Sequence, residues 1–221
     1  MPPTARRGRT GRPPRTSRAQ ILDAALLLID RDGWTNLTVR GLAKELGVAP
    51  TTLYHHVRDK RDLLRQVLDE RAGQVRRPRL PDDPRERITA AAEVIHDTLA
   101  ATPWLVEVLA SDDLLGTSAL WMVEAIVAGA AECGCTDEQA VALYRSIWYY
   151  TAGEILIRSG SARRRAESEE PVYRDEALRG VDATELPRLA VLADRWPALT
   201  ARDTYSRGLR ALVDGFLADC G

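Results

Sequence analysis

The chain has 221 residues, of which 45% are hydrophobic, and a formal net charge of −1, so it can build one large or two small packed domains. No apolar run reaches the roughly 18 residues of a membrane span, and the arginine-rich start lacks the apolar stretch of a secretory signal. Three cysteines, Cys133, Cys135 and Cys220, are an odd number and predict reduced thiols in a cytoplasm, with neither a disulfide framework nor a metal site.

The small net charge hides a strong asymmetry along the chain. Residues 1–77 contain 16 Lys and Arg against 8 Asp and Glu, whereas the remaining residues contain 15 basic and 24 acidic side chains. A basic segment attracts a polyanion and an acidic segment avoids it. The pattern predicts a nucleic-acid-binding module joined to a part with a different function.

Residues 1–16 form a basic arm. The stretch from Met1 to Arg15 holds five arginines and four prolines but no acidic residue, and because it has so little to bury, we expect it to be disordered in the free protein. It is either a solubilising tail or an arm that follows phosphates and enters the minor groove. Its position beside the first helix favours the second interpretation, in which Arg9, Arg12 and Arg15 contact DNA.

The segment after the arm predicts three helices in quick succession. Ser17 is a plausible N-cap of the first, and Thr38 of the second. Gly47 then suits a left-handed stop because it has no Cβ, and a third helix follows over Pro50–Val57. Helix, glycine corner and helix within about 20 residues is the helix-turn-helix pattern, whose second helix enters the DNA major groove. The alternative is an αα-corner of any helical protein.

A fourth helix begins after its cap Asp59, with Asp62 three residues later as a near capping box. It should run to about Arg76, where the sequence RRPRLPDDP breaks it with three prolines. This break is the predicted domain boundary. We expect a DNA-binding domain over residues 17–77, with the fourth helix as its connector, and a second domain over residues 84–221.

The second domain shows further helical periodicity and no stretch typical of a strand, so the predicted fold class is all-α, with about nine to ten helices in the chain. The polar and aperiodic stretch Gly160–Ala183 predicts a long loop. The predicted helices of this domain cover residues 85–101, a short stretch from 103, and residues 114–133, 137–159, 186–196 and 201–219.

The sequence closely resembles the tetracycline-repressor (TetR) family of bacterial transcription regulators. The resemblance rests on AALLLIDRDGW, LTVRGLAKELGV, TTLYHHV and DKRDLL, which together cover about Ser17–Leu68, and a weaker likeness continues in LYRSIWYYTAGEILI and RGLRALVDGFL. It implies a helix-turn-helix domain followed by a helical domain for effector binding and dimerisation. A symmetric homodimer on a pseudo-palindromic operator is therefore expected.

The resemblance also implies where two copies meet, in a four-helix bundle made from residues 137–159 and the last helix of each copy. Small residues in both helices would permit close approach: Ala152, Gly153, Gly208 and Gly215. The alternative is that these residues fill the core of a single chain.

By the same resemblance, the helix-turn-helix supplies most DNA contacts, with Tyr54, His56 and Lys60 at positions that hold backbone phosphates. His55 stands where a larger aromatic residue is common, so the operator sequence cannot be transferred. A lone histidine is more often structural, but two adjacent ones on a short basic helix favour DNA contact. The candidate DNA-binding residues are Arg40, Pro50, Thr51, Thr52, Tyr54, His55, His56 and Lys60, together with Arg9, Arg12 and Arg15 of the arm.

The second domain carries candidate effector contacts on helices that enclose the ligand cavity in this family. Tryptophans at helical spacing are usually core residues, and carboxylates are usually solvated, but a carboxylate inside an apolar cavity needs a partner that a ligand can supply. His96 alone does not rebuild a magnesium–tetracycline site, so we expect a hydrophobic or aromatic effector, no metal and no cofactor. The candidates are His96, Trp104, Glu107, Trp121, Glu124, Trp148, Thr151 and Glu154.

The sequence thus predicts a cytoplasmic DNA-binding regulator, a repressor that a small molecule releases from its operator. An enzyme is disfavoured, because the sequence has no glycine-rich phosphate loop, no metal-spaced ligand set and no nucleophile with an evident base. A ligand-independent or architectural DNA-binding protein and a transcriptional activator remain the alternatives.

Overall fold

The computed structural model describes residues 16–112, 114–167 and 173–220. These residues are helical without a strand, which confirms the predicted all-α class. They divide into two compact units. Unit one contains the residues up to Gln74 together with Leu114–Gly116, and unit two contains the others. Among the described helices, none is both long and apolar enough to cross a membrane.

Unit one contains four α-helices: α1 (Arg18–Asp32), α2 (Val39–Glu45), α3 (Pro50–Leu53) and α4 (Lys60–Gln74). Helix α1 starts in a capping box, in which Ser17 and Gln20 satisfy each other's backbone N–H groups. Apolar side chains from all four helices share one core, because each helix repeats them at helical spacing. Its most buried members are Ile21, Leu22, Ala25, Leu42, Leu53, Leu63, Leu64 and Val67.

A Schellman motif forms the corner between α2 and α3. The backbone of Gly47 has a φ of 66°, its N–H donates to the Lys44 carbonyl at 3.2 Å, and the Val48 N–H donates to the Ala43 carbonyl at 3.0 Å. These two bonds satisfy carbonyls that the end of α2 would otherwise leave unpaired. The predicted glycine corner is therefore present, with Pro50 in the first turn of α3.

Helix α3 is shorter than the predicted Pro50–Val57. It ends at Leu53, and residues 54–56 form a turn in which the Leu53 carbonyl accepts the N–H groups of both His56 and Val57. The burial of Val57 and the cap at Asp59 turn the chain towards α4 before a second helical turn is complete.

Unit two contains α5 (Pro84–Ala100), α6 (Trp104–Asp112), α7 (Leu120–Glu132), α8 (Asp137–Glu167), α9 (Tyr173–Arg179), α10 (Pro187–Leu192), α11 (Trp196–Thr200) and α12 (Tyr205–Ala218). Helices α5, α7, α8 and α12 pack around one core. Its buried side chains include Ile88, Ala92, Ile126, Ala130, Leu143, Ile147, Leu209 and Val213.

The predicted loop over Gly160–Ala183 is wrong in two places. Helix α8 continues through Glu167, and α9 covers Tyr173–Arg179. Both segments are rich in Arg, Ala and Glu, which have high helix propensity, so they form exposed helices without the apolar periodicity on which the loop prediction relied.

The prediction of three reduced thiols is also corrected. Cys135 and Cys220 form a disulfide, with their Cα atoms 4.6 Å apart, and Cys133 is the free thiol. The two bonded cysteines are 85 residues apart in sequence. They meet because the connection between α7 and α8 lies beside the end of α12, which the cysteine count does not reveal.

Candidate DNA-contacting surface and effector cavity

Helix α3 and the turn after it, residues 50–57 and called the α3 turn below, expose polar side chains above buried apolar ones. Leu53 and Val57 are buried beneath it, whereas the Tyr54 side chain is 52% exposed. This arrangement anchors the turn in the core and leaves hydroxyl, amide and imidazole groups free to reach phosphates or base edges. Of the sequence candidates, Arg40, Pro50, Thr51, Tyr54, His55 and His56 are exposed, and Thr52 is half-buried.

Lys60 has a structural role in addition to its predicted phosphate contact. Its ammonium donates to the Thr35 carbonyl at 2.7 Å and lies 5.4 Å from the centre of the Trp34 ring. A lysine ammonium has three N–H donors, so this bond leaves donors for a phosphate. The contact joins the start of α4 to the 3₁₀ turn Trp34–Asn36.

Gln66, which the sequence reasoning missed, is hydrogen-bonded to the backbone of the turn between α3 and α4. Its side chain is buried, donates from Nε2 to the His56 carbonyl at 3.0 Å and to Asp62 at 3.2 Å, and accepts from the Arg18 Nε at 3.0 Å. A single glutamine thus fixes the backbone beside the two histidines. Only the tertiary structure identifies it, because a glutamine in an amphipathic helix is usually solvated.

Asp62 completes this support as an N-terminal capping residue. Its carboxylate accepts the Arg58 N–H at 3.0 Å, while Asp59 accepts the Asp62 N–H at 2.8 Å. The Arg58 N–H is the largest cause that lowers the pKa of Asp62, followed by hydrogen bonds from Arg65 and Gln66, against an opposing effect of burial. The predicted cap at Asp59 is present, but the Asp62 carboxylate accepts the N–H of Arg58 and not that of Asp59.

Unit two contains an open pocket of about 420 Å³, called the effector cavity below, which is lined by residues of α5 and α8, by Pro103 and by Asp203. The apolar part of its lining consists of Ala100, Pro103, Ile155 and Ala162. The polar part consists of His96, Glu154, Arg158, Ser159 and Asp203. A mainly apolar space with a few converging polar groups is typical of a small-molecule site.

Most of the polar lining residues are connected to one another by hydrogen bonds and ion pairs. His96 bonds through Nε2 to Glu154 at 3.1 Å and through Nδ1 to Asp97 at 3.1 Å. The Arg158 Nε donates to the other oxygen of Glu154, and its NH2 group lies 3.7 Å from Asp203. The structure therefore brings together His96 and Glu154, two sequence candidates 58 residues apart, and adds Arg158 and Asp203, which the sequence did not suggest.

The His96 ring belongs to an aromatic stack with the rings of Tyr205 and Tyr150. Its ring lies 3.7 Å from that of Tyr205, and the Tyr205 ring lies 5.3 Å from that of Tyr150. The Tyr205 hydroxyl shares a 2.7 Å hydrogen bond with the buried Thr151. Burial is the main cause that raises the pKa of Tyr205 to about 12, and the Thr151 bond opposes it. Thr151, a ligand candidate, thus has a partner inside the protein.

The remaining effector candidates are more scattered. Trp104 on α6 and Trp121 on α7 have buried indole N–H groups that meet no hydrogen-bond acceptor within the described residues. Neither indole is among the residues that line the cavity described above. Glu107 and Trp148 are half-buried, and Glu124 is exposed on α7.

The outer face of α8 is unusually apolar. Val141, Tyr149 and Leu156 are separated by eight and seven residues, so they share one side of the helix, and the Tyr149 side chain is 58% exposed. Ile157 beside them is 70% exposed. Gly153 on α8 and Gly215 on α12 face open space, with no atom within 4 Å of a Cβ placed on either.

The other two small residues of the predicted interface have neighbours within the chain. Ala152 is buried, and a Cβ on Gly208 would lie 2.8 Å from Cζ of Tyr150. Gly208 is therefore required by the contact between α8 and α12 in one chain. Arg9, Arg12 and Arg15 lie outside the described residues. Within the described residues, no group of three His, Cys, Asp or Glu could hold a metal ion.

Comparisons with known proteins cover both units. Residues 21–67 match the family of "Bacterial regulatory proteins, tetR family", and residues 77–219 match the "Tetracyclin repressor-like, C-terminal domain". An HTH-type transcriptional regulator of Saccharopolyspora erythraea is 28% identical over 94% of this chain and 87% of its own length. The HTH-type transcriptional repressor DrrR1 of Streptomyces coeruleorubidus is 29% identical over 96% of this chain and 81% of its own.

The fold matches that of a solved regulator. Apo ActR from Streptomyces coelicolor superposes with a TM-score of 0.75 and 25% identity, over 94% of this chain and 97% of that one. ActR has also been crystallised with actinorhodin, and that structure matches with a TM-score of 0.74.

Proposed function

Because this chain belongs to the TetR family of bacterial regulatory proteins and is a DNA-binding transcriptional regulator rather than an enzyme, we propose that it is a repressor. In this proposal a homodimer binds a palindromic operator in the bacterial cytoplasm, and a small-molecule effector releases it. The observation that carries the proposal is the exposed polar surface of the α3 turn. Buried Leu53 anchors this turn in the core, and Gln66 donates a hydrogen bond to its backbone.

The α3 turn is suited to the major groove. Thr51, Tyr54, His55 and His56 supply hydroxyl and imidazole groups at the exposed surface, and Arg40 lies in the first turn of α2. Such groups read base edges and hold phosphates. Residues 1–15 would add arginines that follow the minor groove.

Operator binding is tested by selecting DNA from a fragmented genome and measuring affinity for the selected fragment. Arg40→Ala should weaken binding by about tenfold, the usual effect of one lost contact. Arg188→Ala, at an exposed arginine on α10, is the matched control and should bind as the wild type does. Equal affinities for the two variants would exclude the α2–α3 surface as the DNA contact.

Dimerisation would bury the apolar face of α8. One recognition turn covers too few base pairs for genomic specificity, and a two-fold dimer places two of them about 34–36 Å apart, one turn of duplex. Val141, Tyr149 and Leu156 would meet their counterparts across the two-fold axis, with Gly153 and Gly215 allowing close approach.

The dimer is tested by sedimentation. Tyr149→Asp should give a monomer, because it would bury a charge without a partner. Val191→Asp, at a similarly exposed apolar residue on α10, should stay dimeric. A monomeric wild-type protein would contradict this part of the proposal.

The cavity between α5 and α8 would hold the effector. Its apolar lining residues suit a ring system, and its charged lining residues suit polar substituents of that ring. The structural relative ActR has been crystallised with actinorhodin, so actinorhodin is the first compound to screen. An effector with equal affinity for the DNA-bound and free forms would shift nothing, so release requires a preference for the free form.

A thermal-shift screen of aromatic compounds that includes actinorhodin tests this step. Compounds that raise the melting temperature should also release operator DNA. Glu154→Gln should abolish the response, whereas Glu138→Gln, on the exposed first turn of α8, should retain it. Indifference to every compound would favour a ligand-independent DNA-binding protein.

A further inference from the structure

The disulfide between Cys135 and Cys220 lies at a structurally defined position. Helix α7 ends in a second Schellman motif, in which the Gly134 N–H donates to the Ala131 carbonyl at 3.0 Å and the Cys135 N–H donates to the Ala130 carbonyl at 3.1 Å. Gly134 supports this motif with a φ of 92°. Cys135 is thereby directed into the core, where it is 7% exposed.

Cys220 lies two residues after the end of α12, and a second contact holds the same end of that helix. Gln139, in the first turn of α8, donates from Nε2 to the Asp219 carbonyl at 3.1 Å. The disulfide and this hydrogen bond together attach the C-terminus of α12 to the start of α8. These two helices carry the apolar face proposed for dimerisation.

We propose that the Cys135–Cys220 bond is a reversible redox switch that strengthens the homodimer when it is closed. The inference rests on the proposed function, because a regulator that acts on chromosomal DNA works where thiols are normally kept reduced. In that compartment the bond would form only under oxidising conditions. It would then fix the end of α12, and with it Phe216 and the open side of Gly215, against α8.

Closing the bond needs a disulfide-bearing oxidant such as oxidised glutathione. Cys220 is the more accessible of the two cysteines, so its thiolate attacks the oxidant, forms a mixed disulfide and expels one glutathione thiolate. The Cys135 thiolate then attacks the Cys220 sulfur and expels the second. The two protein thiol protons pass to the two glutathione thiols, and a dithiol reductant reverses both steps.

Opening the bond should loosen the end of α12 without unfolding unit two. Leu209, Val213 and Leu217 remain packed in the core, and the Gln139–Asp219 hydrogen bond remains possible. What changes is the last turn of α12, which frays more readily without the covalent link. The dimer, which would use the adjacent surface, then becomes weaker.

Cys133 provides the internal control. It is the free thiol and lies two residues from Cys135 in the sequence. It takes no part in the bond, so Cys133→Ser should keep the redox response. Cys220→Ser, at the end of the chain, removes the bond with little risk to folding.

The test combines thiol counting with sedimentation of the full-length protein in glutathione buffers. The oxidised protein should show one titratable thiol in denaturant and the dithiol-treated protein three. The dimer dissociation constant should rise by about tenfold on reduction, because the frayed last turn of α12 must be ordered again when the two copies associate. Cys220→Ser should match the reduced protein in either buffer, and Cys133→Ser should respond as the wild type does.

Three outcomes separate the hypotheses. Three titratable thiols after treatment with oxidised glutathione, or the same dissociation constant in both buffers, would overturn the switch. A wild-type response that survives in Cys220→Ser would also overturn it, because another group would then be responsible. A normal redox response in a protein that selects no DNA would instead refute the proposed repressor function.

Discussion

The close approach of α8 to α12 at Gly208 can be tested with a single methyl group. A Cβ on Gly208 would lie 2.8 Å from Cζ of Tyr150 and closer still to its hydroxyl. Tyr150 is held there by its stack on Tyr205 and by a 3.3 Å hydrogen bond from its hydroxyl to the Tyr205 carbonyl. Gly208→Ala must therefore displace the Tyr150 side chain and break both interactions.

The magnitude follows from what is lost and gained. A hydrogen bond of this kind contributes about 0.5–1.5 kcal/mol, and an aromatic pair contributes about 0.5–1.5 kcal/mol. Replacing glycine by alanine in a helix returns about 1 kcal/mol. Gly208→Ala should thus destabilise unit two by about 1 kcal/mol and lower its melting temperature by about 2–4 °C.

Thermal denaturation followed by circular dichroism provides the measurement, and Gly215→Ala in the same helix provides the control. A Cβ on Gly215 meets no atom within 4 Å, so that variant should melt higher than the wild type when the protein is dilute enough to be monomeric. In a Tyr150→Leu background the cost of Gly208→Ala should disappear. If Gly208→Ala instead raises the melting temperature as Gly215→Ala does, α8 and α12 do not meet at this point.

Three further predictions concern single side chains. The folded state raises the pKa of Tyr205 from 10.0 to about 12. The contribution of this shift to stability is therefore intact below pH 10 and is lost between about pH 10 and 12. Urea denaturation of Tyr205→Phe at several pH values should lack this alkaline loss. Lys60→Ala should weaken binding to every DNA sequence and flatten the slope of affinity against salt by about one unit, measured by titration at several salt concentrations. Leu53→Ala should destabilise unit one by about 2–5 kcal/mol and abolish operator binding, with the melting of unit two unchanged in calorimetry.

The helix-turn-helix was the most predictable part of the fold because its signals are local. Thr38 accepts the Gly41 N–H at 3.0 Å, Gly47 has a positive φ, and Pro50 opens α3. Each of these residues acts on a neighbour within a few positions, so sequence spacing is sufficient. The end of α3 was less predictable, because it depends on the burial of Val57 beneath the turn.

The effector cavity and the disulfide depend on distant contacts. The sequence suggested His96 and Glu154 as separate candidates, and nothing local joins residues 58 positions apart or brings Arg158 to the same carboxylate. The pairing of Cys135 with Cys220 depends in the same way on how the ends of two helices pack. Residues that act through contacts with distant parts of the chain, such as the hydrogen bonds of Gln66, are therefore the ones that sequence reasoning misses.

The contact between Lys60 and Trp34 has a practical consequence. Trp34 is the only one of the five tryptophans that precedes residue 104, and its ring lies under the ammonium of a proposed phosphate ligand. When a phosphate draws that charge away, the emission of the indole should change. A variant that retains Trp34 as its sole fluorophore of this type would then report operator docking in real time, without an attached dye.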